Sequence, residues 1–165
     1  MTTAGSRRVQ SQVRRLDTIW DTLDARGWSA FASAWLADLE GAPPLASDRP
    51  WPAAVMGGLV ELHDVRMAVV ALSFTAAAKH HWTFIRAALT QATTDDPLGA
   101  IAAGPLEHLL GWHAQDYLPV VEAACAEDPR LARTITGVRR YRMTDEVWSR
   151  VRALQARGGD PLADA

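Results

Sequence analysis

Apolar residues recur every three or four positions along most of this chain, and no stretch of four or more residues alternates in the manner of a strand. A period near 3.6 is that of a helix burying one side, so the pattern predicts an all-α protein. Val9, Val13, Leu16, Trp20 and Leu23 are spaced 4, 3, 4 and 3 apart. They predict a first helix over 7–26, stopped by Gly27. Trp28, Phe31, Trp35, Leu36 and Leu39 set a second over 29–40, stopped by Gly41. Residues 41–52 hold four prolines and read as a loop. Residues 53–74 continue as one helix or two, the break falling at Asp64, with Val55, Leu59, Leu62, Met67, Val70 and Phe74 inward. Thr75 is placed to cap the next helix, 76–92, whose core face takes Trp82, Ile85 and Leu89. Thr144 is placed to cap the last, 145–157, with Val147, Trp148, Val151 and Leu154 inward. The ends, 1–6 and 159–165, read as loose.

The sharpest punctuation lies in 95–137. Asp96-Pro97 reads as a helix start, because Asp caps free N–H groups and Pro suits the first helical position. That segment is expected to stop at Gly104, and Gly104-Pro105 to restart a helix with Glu107 at its third position, bonding the Gly104 N–H. Leu106, Leu109, Leu110 and His113 then form one buried stripe. A further segment over 116–126 puts Leu118, Val121 and Cys125 on one face with Glu122 beside it, and Pro119 in its first turn. Asp128-Pro129 opens another, with Leu131 and Ile135 inward. The sum is a single all-α domain over 1–165, of about seven or eight helices packed as antiparallel hairpins, with solenoid-like curvature as an option. Asp-Pro recurs at 96, 128 and 160, a spacing that suits either a repeat or similar helix lengths.

Several of these residues also carry a resemblance. A-A-G-P-L-E-x-L-L from Ala102, His113, Val121-Glu122, Asp128-Pro129, Gly137-Val138 and Val147-Trp148-x-Arg150, preceded by His81-Trp82-x-Phe84-Ile85, resemble a bacterial domain family of unknown function. The resemblance covers 82–151. It departs at Ala114 and Arg139, where Gly and Trp are expected. It implies a small helical bacterial protein and brings no catalytic residues with it.

Composition narrows the list of functions. There are 30 alanines, 16 arginines to one lysine, and no asparagine. Seven tryptophans point to large core or interface positions. Cys125 is the only cysteine, so no disulfide forms within the chain, and its apolar face makes it a core residue. The N-terminal residues lack a secretory apolar segment, and the longest apolar run, Met67–Ala78, is too short to span a bilayer. A cytoplasmic location is expected.

Phosphate-loop, dinucleotide, nucleophile-elbow, paired-cysteine and H-E-x-x-H motifs are absent. The remaining candidates are Glu107, Glu122 and the histidines 63, 80, 81, 108 and 113. No Glu-x-x-His pair presents two ligands on one helix face. Glu107 and His113 are six apart and diverge on a straight helix. No metal or cofactor is expected, Glu107 reads as a helix-start residue, and the histidines other than His113 read as surface.

Charge is segregated: the first 15 residues carry only arginines, 16–128 are acidic, and 129–165 are basic again, for a net of −2. Either the basic ends pack across the acidic middle or are simply solvated, or Arg130, Arg133, Arg139, Arg140 and Arg142 form a partner surface. The reading reached is a non-enzymatic protein that acts by protein–protein contact, such as an immunity-type or regulatory binder. Two alternatives stay open. One is a helical enzyme or metal-binding protein with Glu107 and His113 in a pocket beside Trp82 or Trp112. The other is a nucleic-acid binder through the Arg-rich C-terminal segment, which lacks the net positive charge such proteins usually carry. The oligomeric state is left open.

Overall fold

The computed structural model describes residues 20–41 and 65–162. Seven α-helices lie among them: α1 (Ala25–Leu39), α2 (Val65–Thr75), α3 (Ala78–Gln91), α4 (Asp95–Ile101), α5 (Glu107–Glu127), α6 (Pro129–Thr134) and α7 (Asp145–Gln155). No strand occurs among the described residues, so the protein is all-α as the pattern predicts. What was expected of 1–19, 42–64 and 163–165, including most of the first helix and the proline-rich loop, lies outside the described residues.

Aromatic side chains join α1 to α3. Phe84 meets Phe31 at 4.9 Å and Trp35 at 5.5 Å between ring centroids. Trp20 stacks on Trp28 and Phe31 and is fully buried. Leu106, at the end of the turn before α5, and Leu109, Leu110, Leu118 and Val121 along α5 carry this core on, and Leu131, Ile135 and Val151 close it. Leu118 and Val121 are inward as expected, and Cys125 is half-buried beside them.

Several boundaries move. Gly27 does not stop a helix; it lies in the first turn of α1, because Asp24 caps that helix by accepting from the Gly27 N–H at 2.8 Å. Thr75 ends α2 rather than capping α3; its hydroxyl donates back to the Ala71 carbonyl at 2.6 Å. α4 begins at Asp95 after Thr94, so Asp96 sits within the first turn.

Two expectations hold closely: Asp128 caps α6 with Pro129 following, and Thr144 caps α7 through the Val147 N–H. The third Asp-Pro, 160–161, starts no helix among the described residues. The tail, expected to be loose from 159, is docked at Leu162, which is buried and donates its N–H to the Thr136 hydroxyl.

The largest correction is at Gly104-Pro105. The chain does not stop and restart there. It runs from α4 into α5 through a widened π turn, Ala102–Leu106, in which the Glu107 N–H reaches the Ala102 carbonyl five residues back. Proline explains the turn: Pro105 has no N–H for the Ile101 carbonyl, and its ring crowds that oxygen, so the local bonding shifts. The segments expected on either side of His113 are two helical pieces of α5 that meet at a kink, where His113 leaves helical geometry at φ −131° and ψ 23°. Pro119 lies six residues past the kink, beyond the first turn of the second piece rather than within it.

Candidate protein-interaction surface

α2 is apolar on two sides, and the sequence pattern picks the wrong one. Ala68, Val69 and Leu72 face the core, while Met67, Val70 and Phe74 are 47%, 44% and 57% exposed. α2 packs against α1. Small Ala68 permits that approach, and Ser73 goes inward because its hydroxyl is satisfied by the Val69 carbonyl at 2.9 Å. The larger side chains at i, i+3 and i+7 are left as an outward stripe.

That stripe continues onto α5. Phe74 meets His108 edge-on at 5.0 Å, and His108 lies 4.8 Å from Tyr141. His108 Nδ1 is 2.9 Å from the Gly104 carbonyl oxygen, so the Nδ1–H donates to that carbonyl. One turn further, Trp112 is 45% exposed and the Arg142 guanidinium lies 3.9 Å above its ring. His108 and Trp112 are four apart and share a face, and Tyr141 and Arg142 are consecutive. The result is one row: Met67, Val70, Phe74, His108, Tyr141, Trp112.

The loop that completes the row is fixed by the G-P-L-E-H-L-L-G-W segment. Glu107 does not bond its own helix start; its carboxylate accepts the Arg139 N–H at 3.1 Å. Burial raises the Glu107 pKa, partly opposed by that N–H bond and by His108 and Arg139. Gly111 lets the loop come close, because a Cβ there would sit 2.7 Å from the Tyr141 carbonyl oxygen. Arg142 takes a positive φ of 52°. Glu107, His108, Gly111 and Trp112 thus hold residues 139–142 from one side of α5. Leu106, Leu109 and Leu110 are fully buried on the other, while His113 is half-buried at the kink.

The arginines expected at a partner surface are spread among intramolecular contacts. Arg133 makes a two-point pair with Asp95, at 2.8 and 2.6 Å, which lowers the Asp95 pKa. Arg140 reaches Asp145 and the Met143 carbonyl, and Arg130 the Thr90 carbonyl. Arg139 contributes its backbone to Glu107, and Arg142 its guanidinium to Trp112. Arg150 grips Glu122 at 2.9 and 2.5 Å.

His80 and His81 are not surface residues. His80 lies over Trp28 and pairs with Asp21 at 2.9 Å. His81 is fully buried, and neither ring nitrogen has a hydrogen-bond partner. Burial pushes its pKa from 6.5 to about 3, and His113 and His108 add to the shift. The Pro105 carbonyl opposes it without offsetting the burial. Glu107 and His113 do not line the open groove of about 810 Å³ beside Trp82 or the cleft of about 410 Å³ beside Trp112. Among the described residues, no group of three or more His, Cys, Asp or Glu could hold a metal ion. Burial, then Asp128 and Glu122, raise the Cys125 thiol to about 11, which disfavours the thiolate. No described helix is long and apolar enough to cross a membrane.

The chain belongs to a family of unknown function, DUF6869, whose model matches residues 61–159. The match begins well before residue 82, so it takes in α2 and its exposed stripe as well as α5. No curated protein and no solved structure matches the chain.

Proposed function

We propose that this protein acts by binding another protein through the face formed by the outer stripe of α2 and the first turns of α5. It is a cytoplasmic bacterial binder of the immunity or regulatory type. The observation that carries this reading is the set of exposed side chains Met67, Val70, Phe74 and Trp112, joined by ring contacts through half-buried His108 and Tyr141. Large apolar side chains seldom gather in the open on one face without a use, and Trp, Tyr and Arg are the residue types that dominate binding energy at interfaces. Arg66, paired with Asp38, stands next to Met67 at one end, and Arg142 covers Trp112 at the other. The partner that fits carries an apolar patch bordered by acidic groups. The enzyme alternative draws no support from Glu107, whose carboxylate holds the Arg139 N–H. The nucleic-acid alternative is weakened by the carboxylates that already occupy Arg133, Arg140 and Arg150.

Phe74→Glu tests the reading, because Phe74 is more than half exposed and its replacement leaves the core intact. Tagged wild-type protein and the variant, matched by circular dichroism, are recovered from the native host. A specific protein retained by the wild type and lost from the variant is expected. Equal retention by both, or none by either, contradicts the assignment.

A further inference from the structure

Next to the exposed row, a cleft of about 410 Å³ opens between the kinked part of α5 and the start of α7. Leu110, Leu118 and Met143 are buried beneath it, Trp112 and Arg142 line one side, and Glu146 and Arg150 line it from α7. We propose that this cleft takes a segment of the partner protein in which an apolar side chain stands next to a carboxylate. The apolar group enters against Leu110 and Met143, and the carboxylate bonds Arg142. The inference rests on the protein-binding reading above and specifies what that partner presents.

Charge decides which group recognises the acid. Both arms of Arg150 are taken by Glu122, and Glu146 is a second acid near it. Arg140 is spent on Asp145 and the Met143 carbonyl. Arg142 pairs with no acidic side chain among the described residues; its contact is the Trp112 ring. A guanidinium held over a ring keeps its in-plane N–H donors for another partner, and their fork suits a carboxylate. The loop behind it is already in place. Glu107 holds the Arg139 N–H, and Tyr141 fits into the space left by the missing Cβ of Gly111. Arg142 is therefore presented on a preordered backbone, which lowers the entropy cost of binding. The volume suits one or two side chains.

The test is a titration of ¹⁵N-labelled protein with acetylated, amidated hexapeptides that carry Leu-Glu, Leu-Gln or Ala-Glu between Gly-Ser flanks. The Leu-Glu peptide is expected to shift the Gly111 amide and the Trp112 indole N–H. Leu-Gln should bind about tenfold more weakly, the scale of a hydrogen bond to a charged group. Ala-Glu should also be weaker, and Arg142→Asn, which tolerates the same φ, should erase the preference for Glu over Gln. No shift at Gly111 and Trp112, or equal binding of Leu-Glu and Leu-Gln, overturns the proposal. The wild-type comparison of those two peptides stands even if Arg142→Asn alters the loop. Phe74 does not line the cleft, so the peptide result and the Phe74→Glu result can fail separately.

Discussion

His81 is the residue whose environment most constrains the behaviour of the fold. It is fully buried with no hydrogen-bond partner, and its pKa falls from 6.5 to about 3. The sign follows from linkage. Below 6.5 the unfolded chain takes up a proton that the folded chain refuses, so His81 makes the protein less stable as pH falls. The loss accumulates as pH falls from 6.5 toward about 3. Exposed pairs such as Arg133–Asp95 also weaken in acid, so the isolating comparison is with His81→Leu. Urea unfolding at pH 7.5 and 4.5 should show a smaller acid-induced loss for the variant; equal losses would mean that His81 is solvated in the native state. None of this was legible beforehand. His80 and His81 are adjacent in a helix where both polar and apolar neighbours abound, and only the position of α1 and of the π turn decides that both go inward.

At the scale of the element, capping chemistry was the most readable part of the sequence. Asp128 and Thr144 act locally, through N–H groups two and three residues away, and the structure keeps both. Gly104-Pro105 misled because Gly next to Pro signals a break, whereas a helix supported by packing on both sides absorbs the missing N–H as a π turn. The α2 stripe misled for a different reason. Two apolar faces compete on one helix, and periodicity ranks them by hydrophobicity while packing selects them by size and fit. The glycines of the motif region separate these roles in a measurable way. Gly104→Ala meets nothing within 4 Å and should stabilise by about 0.5–1 kcal/mol, the helix preference for alanine. Gly111→Ala drives a methyl into the Tyr141 carbonyl and should cost about 1–3 kcal/mol while displacing the 139–142 loop. Denaturant unfolding of the two variants checks both signs. A neutral Gly111→Ala would mean that the loop is not held by that contact.

Over the whole molecule, the all-α architecture could be read from the period alone, whereas the segregated charge left several arrangements open. Asp95 with Arg133, Glu122 with Arg150 and Asp128 with Arg86 join the acidic middle to basic or neighbouring segments. These pairs are at least partly exposed, so each contributes little to stability. The candidate surface was hidden because its members come from α2, α5 and the 139–142 loop, and no local spacing joins Phe74 to His108 or Trp112 to Arg142. The central claim is that this composite face is where the protein meets its partner. The most direct measurement is site-specific photocrosslinking in the native host, with the crosslinking residue at position 70 in the row and, as a control, at position 152, which is exposed on α7. Binding through the row predicts a discrete adduct of one partner from position 70 and none from position 152. The same adducts from both positions, or no adduct from position 70, would contradict it.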